Sequence, residues 1–189
     1  MSNILISGVG GQGTLLASRI LGNVAIKLGY DVKVSEVHGM SQRGGSVVTY
    51  VKFGEKVYSP VIGEADADIV LAFEELEAYR YLENLKKGGK LLVNTQCMDP
   101  MPVITGKMEY PENILEKIRE KGVNVTAVDA LSLAREAGNE KAVNVVLIGV
   151  LAANTDIKKE IFVEAIKETV PEKFRDVNLK AFELGYNKL

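Results

Sequence analysis

Short apolar runs with strand character recur along the chain at Ile4–Ile6, Val32–Val37, Val47–Phe53, Ile69–Phe73, Lys90–Val93 and Val123–Val128. Most are separated by stretches of helical length and period, so the rhythm is β-α-β. A first helix is expected from Gly13 to Leu28, because Leu16, Ile20, Val24 and Leu28 fall on one stripe and Gly29 supplies a C-terminal stop. A second is expected over Leu76–Leu85, ending at Gly88-Gly89, and a third between Pro111 and Gly122. One interruption breaks the alternation. Val47–Phe53 and Val57–Ser59 flank Gly54-Glu55-Lys56 and read as a β-hairpin, an antiparallel excursion in an otherwise parallel sheet.

Beyond Asp129 the pattern is wholly helical: Leu131–Glu136, Lys141–Asn154, Lys158–Thr169 closed by Pro171, and Val177–Tyr186. The loop Thr95–Met108, with Pro100 and Pro102, is the only long irregular stretch, and such stretches are often functional. Together these elements predict a single α/β domain over residues 1–189: a Rossmann-like three-layer fold, mostly parallel, with an antiparallel hairpin and a helical C-terminal part.

Composition narrows the function by exclusion. With 23 Lys and Arg against 25 Asp and Glu, the chain has no basic footprint for nucleic acid. Its single cysteine, Cys97, cannot close an intramolecular disulfide, and one Cys and one His cannot hold an iron–sulfur cluster or a structural zinc. Cys97 lies in no nucleophile motif and reads as a buried or incidental thiol. The longest apolar run, Val145–Ala153, falls short of the ~18 residues of a membrane span. Met1-Ser2-Asn3 passes straight into a strand pattern without the regions of a signal peptide, so a soluble cytoplasmic protein is expected.

The chemistry concentrates in two glycine loops. After the first strand, Gly8, Gly10 and Gly13 match G-x-G-x-x-G in a strand-turn-helix setting. Glycines there let backbone N–H groups approach a phosphate or carboxylate, and the helix N-terminus at Gly10–Thr14 favours negative charge. The plain alternative is a tight turn that packs helix on sheet. No Lys follows Gly13, which argues against a nucleoside triphosphate loop, whereas Glu36 stands where a dinucleotide fold places its ribose acid.

The second loop, Ser35 to Ser46, carries His38, Ser41, Gln42, Arg43 and Gly44. It is more elaborate than a dinucleotide fold requires. If its strand and the first are parallel neighbours, both loops converge beyond the carboxyl ends of the strands and could form a composite site. In it Arg43 can grip two oxygens of a phosphate or carboxylate, while Ser41 and Gln42 add polar contacts. A lone His beside Glu36 reads as a hydrogen-bonding group before a base or metal ligand. Asn144, inside a helix apolar on nearly every face, needs a partner from the core, a neighbouring subunit or a ligand.

The combination Gly8-Val9-Gly10-Gly11-Gln12-Gly13, then Glu36-Val37-His38-Gly39-Met40-Ser41-Gln42-Arg43-Gly44-Gly45, then Asn144, resembles the gamma-type subunit or domain of 2-oxoacid:ferredoxin oxidoreductases. The likeness covers essentially the whole chain and is strongest to the small subunit of the indolepyruvate-oxidising members. It implies an oxygen-sensitive enzyme that oxidatively decarboxylates an aryl-pyruvate, reduces ferredoxin and transfers the acyl group to coenzyme A. The chain has no Gly-Asp-Gly…Asn-Asn thiamine signature and no cluster ligands. Thiamine diphosphate and the 4Fe-4S clusters are therefore expected on a large partner subunit, without which this chain is inactive.

The role left here is auxiliary: to complete the assembly and help bind coenzyme A at the subunit interface. The candidate binding residues are Gly8, Gly10, Gly11, Gln12, Gly13, Thr14, Glu36, His38, Ser41, Gln42, Arg43, Gly44 and Asn144. No catalytic residue or metal ligand is assigned. A homodimer of the isolated chain, a self-contained NAD(P)- or FAD-binding oxidoreductase, and a non-catalytic dimeric scaffold using the same loops as packing devices stand as alternatives.

Overall fold

All six expected apolar runs form strands: β1 (Ser2–Val9), β2 (Asp31–His38), β3 (Ser46–Gly54), β4 (Ala67–Ala72), β5 (Leu85–Asn94) and β6 (Asn124–Val128). The structure is a computed structural model that describes residues 2–41 and 43–188. It joins the strands in one sheet of order β2-β3-β1-β4-β5-β6. β1, β4, β5 and β6 are parallel neighbours, while β3 runs antiparallel to both β1 and β2.

The antiparallel excursion is therefore present but differently placed. The hairpin is β2 with β3, pairing Asp31 with Gly54 and His38 with Val47, and Val57–Ser59 forms no strand. Both edges of β3 are already occupied, so no ladder remains for a further strand. Val57 is instead buried, and its N–H donates to Asp31 Oδ2 at 2.9 Å.

The helices are α1 (Thr14–Lys27), α2 (Glu75–Arg80), α3 (Met101–Ile104), α4 (Ile114–Glu120), α5 (Ala130–Ala137), α6 (Val143–Ala153), α7 (Lys159–Thr169) and α8 (Arg175–Tyr186). The second is shorter than its pattern suggested. After α2 a 3-10 turn at Leu82–Asn84 leads into β5 at Leu85, and Gly88-Gly89 lie inside that strand, where its register with β4 shifts. The pair absorbs a bulge and does not stop a helix. The loop Thr95–Met108 contains one helical turn, α3.

Alternation along the strands sorts the core into two layers. Ile4 and Ile6 of β1 with Ile69 and Leu71 of β4 pack against α1, α6, α7 and α8, which contribute Ile20, Ile148, Phe162 and Phe182. Leu5, Val70 and Leu91 face the other way and meet Ala78 of α2 with Ile114 and Ile118 of α4. The almost wholly apolar α6 is buried along Val143–Ala152. It crosses α8 closely enough that a Cβ at Gly149 would strike the carbonyl oxygen of Phe182. Among the described residues no helix is long and apolar enough to cross a membrane.

Candidate functional site

β1, β2, β4, β5 and β6 end at one edge of the sheet, and β3 begins there. Ligand crevices of open α/β sheets lie beyond such an edge. The two glycine loops meet there, although their strands are not the parallel neighbours expected. β1 and β2 are parallel but separated by β3, and the loops clasp each other across its start: Gly10 N–H donates to Gly45 O at 2.8 Å and Gly44 N–H to Gly10 O at 3.1 Å. Ser41 Oγ donates to Arg43 O at 2.8 Å and stiffens the second loop. Gln42 lies outside the described residues.

The first loop presents backbone donors. Gly11 and Gly13 take φ of +105° and +88°, a conformation L side chains rarely adopt. The N–H groups of Gly11, Gly13, Thr14 and Leu15 donate to no acceptor among the described residues, because the first helical bonds, from Leu16 and Ala17, go to Gly13 O. They surround a cleft of 380 Å³ bordered on its far side by Glu36, His38 and Val47. This combination of successive backbone donors and a helix N-terminus suits an anion.

Register explains the far wall. Glu36 pairs with Thr49 and His38 with Val47, so these four share the face that carries α1. Glu36 Oε2 accepts long hydrogen bonds from Thr14 Oγ1 at 3.5 Å and Thr49 Oγ1 at 3.3 Å. His38 is exposed, with Nδ1 3.0 Å from Gly39 O. Arg43 and Gly44 are exposed at the rim of the clasp.

Three candidates do not line this cleft and serve as its framework. A Cβ at Gly8 would come within 3.0 Å of Phe73 Cβ. Gln12 spends its amide on the protein: Oε1 accepts from Val9 N–H at 2.8 Å, while Nε2 donates to Phe73 O at 3.1 Å and approaches Met98 Sδ at 3.3 Å. Asn144, near the start of α6, donates from Nδ2 to Gly13 O at 3.3 Å and accepts from Val145 N–H at 2.9 Å. It fastens the first loop to the helical layer.

A group on the opposite face was not anticipated. Glu74, 1% exposed, caps α2 by accepting Glu77 N–H at 2.8 Å, and its other oxygen accepts Met98 N–H at 3.0 Å and the Tyr110 hydroxyl at 2.5 Å. Burial, reinforced by that carboxylate, pushes the Tyr110 phenol far above its ordinary range. Glu77, 3% exposed, accepts from Ser46 Oγ at 2.5 Å and from Arg80 Nη1 at 2.8 Å. Desolvation raises its carboxyl above the usual value, against the opposing pull of Ser46 and Arg80. The only sequence signal is the acidic run Glu74-Glu75-Leu76-Glu77 directly after an apolar strand, which also suits an ordinary solvated helix start. Cys97 is exposed and not buried. Desolvation and the carboxylates of Glu75, Glu74 and Asp99 still push its thiol up, away from the thiolate a nucleophile needs.

This architecture has close relatives. The chain is 48% identical to the indolepyruvate oxidoreductase subunit IorB of Thermococcus kodakarensis, over 97% of this chain and 93% of that one. It is 31% identical to the pyruvate/ketoisovalerate oxidoreductases common subunit gamma of the same organism, over 100% of this chain and 97% of the other. The crystal structure of a keto/oxoacid ferredoxin oxidoreductase gamma subunit from Geobacter sulfurreducens superposes with a TM-score of 0.74 at 29% identity, covering 100% and 98% of the two chains. Residues 3–188 match the model of pyruvate ferredoxin/flavodoxin oxidoreductases, and with the strand order, the clasp and the donor cleft all inside that span, the chain belongs to this family.

Proposed function

We propose that this chain is the small, auxiliary subunit of a 2-oxoacid:ferredoxin oxidoreductase of the indolepyruvate type. In this reading its glycine cleft holds the phosphate portion of coenzyme A at the interface with a large subunit. The observation that carries the binding role is the group of four N–H donors at Gly11, Gly13, Thr14 and Leu15, which have no acceptor among the described residues and belong to residues that line the cleft beside the clasp. The 48% identity to a subunit named for indolepyruvate supports the choice of aryl-pyruvate substrate. The residues present do not fit an iron–sulfur cluster, since Cys97 is the single thiol. Thiamine diphosphate, the clusters and the path to ferredoxin accordingly belong to the large subunit, with the whole assembly cytoplasmic.

Coenzyme A supplies the thiol that takes up the acyl group. The tasks of this chain are to bind and to orient. Backbone donors at Gly11–Leu15 hold a phosphate without a side chain that must be ordered, and Arg43 at the clasp reaches a second anionic oxygen. Glu36 repels an anion at the far wall and accepts hydrogen bonds from hydroxyl or amine groups, which gives the bound molecule a direction. Gln12 and Asn144 keep the loop from relaxing.

Titration calorimetry on the full chain with coenzyme A, NADH and FAD tests this directly. Coenzyme A is expected to bind, and 2-oxoacid-dependent ferredoxin reduction to appear only after mixing with the large subunit and thiamine diphosphate. Tight binding of NADH or FAD with silence toward coenzyme A overturns the reading in favour of a dinucleotide enzyme. Silence toward all three favours a scaffold.

A further inference from the structure

The two buried carboxylates at the start of α2 stand one helical turn apart, and each reaches one of the glycine loops. Glu74 accepts the Met98 N–H at 3.0 Å, and Met98 Sδ lies 3.3 Å from Gln12 Nε2 in the first loop. Glu77 accepts the Ser46 hydroxyl at 2.5 Å, where the second loop enters β3. A carboxylate so deeply buried is costly to keep unless hydrogen bonds offset its lost hydration. Glu77 is itself held: its other oxygen accepts from Arg80 Nη1 at 2.8 Å, and its backbone carbonyl accepts from Ser7 Oγ of β1 at 3.4 Å.

Ser46 occupies a sensitive point. It pairs with Val9 across β1 and β3, and the peptide unit that precedes it carries the Gly45 carbonyl, which accepts the Gly10 N–H at 2.8 Å. Because a peptide unit is planar, anchoring Ser46 restricts where that carbonyl points. Gly44 and Gly45 leave the chain just before it conformationally soft, so an anchor at Ser46 has something to restrain. Gly10 in turn leads directly into Gly11, the first of the unpaired cleft donors.

We propose that Glu77 is a positioning residue for the anion cleft: braced by Arg80, its carboxylate grips Ser46, fixes the Gly45 carbonyl and so holds Gly10 and the donors at Gly11–Leu15 on one point. The inference rests on the reading above that this cleft binds coenzyme A. Glu77 touches no ligand and acts only through Ser46.

The test compares the full chain as wild type, Ser46→Ala, Glu77→Gln, the double variant, Ser46→Thr and Thr169→Val. The last removes a hydrogen bond between α7 and Asn23 of α1 and controls for general loss of stability. Two quantities are read: hydrogen exchange of the Gly10 and Gly44 amides by NMR, and coenzyme A affinity by calorimetry. Each single variant at Ser46→Ala and Glu77→Gln is expected to speed exchange and weaken affinity by about tenfold, the lower end of what a hydrogen bond to a charged group contributes. The double variant should lose no more than either single one, because both changes break the same link, whereas independent effects would multiply to about a hundredfold. Ser46→Thr keeps the hydroxyl and should restore both quantities, and Thr169→Val should move neither. Wild-type exchange in Ser46→Ala and Glu77→Gln, faster exchange with unchanged affinity, or a multiplied loss in the double variant overturns the positioning role. Exchange that shifts as described in a chain that never binds coenzyme A supports the grip and overturns the assigned ligand instead.

Discussion

Gly13 and Asn144 interlock: the Asn144 amide donates to the Gly13 carbonyl at 3.3 Å, and a Cβ at Gly13 would lie 2.5 Å from that same amide nitrogen. One residue turns the anion loop and the other opens the most buried helix, so the loop is held from outside its own segment. Gly13→Ala adds left-handed strain of about 1–2 kcal/mol to a steric conflict, and Asn144→Ala removes a hydrogen bond of about 1 kcal/mol. Because Asn144→Ala also removes the amide that the new methyl group of Gly13→Ala would strike, the double variant should lose less stability than the two single losses added. Urea unfolding of the four proteins measures this, and strict additivity would show that the two residues do not meet as described.

The Glu77 carboxyl predicts a pH dependence with a definite sign. Its folded value is raised above the ordinary 4.5 by desolvation, so the folded state holds this proton more tightly than the unfolded chain does. Its contribution to stability is full below 4.5 and is lost as pH rises through the raised folded value. Asp31 acts in a different window. Its value is lowered below 3.8 by the Val57 N–H and Lys33, so its contribution is present above 3.8 and is lost on acidification below it. Glu77→Gln should flatten the urea midpoint in the upper window and leave the lower one as it is. Parallel profiles for variant and wild type across both windows would count against a buried ionisable Glu77.

The strands, the face alternation and both glycine loops were legible in the sequence because each rests on local pattern: period two, period 3.6, or a turn that needs glycine. The misplacements concern partners distant in the chain. Val57–Ser59 has strand composition, but β3 was already paired on both sides, which no local window shows. Leu82 and Leu85 continue a helical spacing, yet the chain enters β5 at Leu85 because β4 offers it a parallel ladder. The same blindness hid the buried carboxylates. Glu77 meets Ser46, and Glu74 meets Met98 and Tyr110, through contacts spanning 24 to 36 residues, and a buried glutamate in the run Glu74-Glu75-Leu76-Glu77 reads as a solvated one until its partners are seen.

Gly149 offers a test of the helical layer independent of any ligand. A Cβ there would meet the α8 backbone at Phe182 and Tyr186, neither of which can rotate away as a side chain would. Helix propensity alone favours Ala over Gly by about 1 kcal/mol, so a loosely packed α6 would be stabilised by the change. Overpacking costs about 1–3 kcal/mol and should reverse that sign. Gly149→Ala is therefore expected to lower the urea midpoint, and a raised midpoint would place α8 farther from α6 than described.

Arg43 separates the role of charge from the role of shape in the anion cleft. It is exposed, so Arg43→Ala should change stability by no more than about 0.5 kcal/mol. If its guanidinium reaches a phosphate oxygen of coenzyme A, the same variant should weaken binding by about tenfold, equivalent to about 1.4 kcal/mol. Arg43→Lys keeps the positive charge but lacks the planar fork, so it should recover only part of that loss. The recovered part should fade as salt is raised from about 0.05 to about 0.5 M, since an exposed point charge is screened over a few ångströms there. Calorimetry at two salt concentrations distinguishes the contributions: equal affinity in all three proteins would mean that the backbone donors at Gly11–Leu15 hold the anion alone, and that the second loop serves the site only by clasping the first.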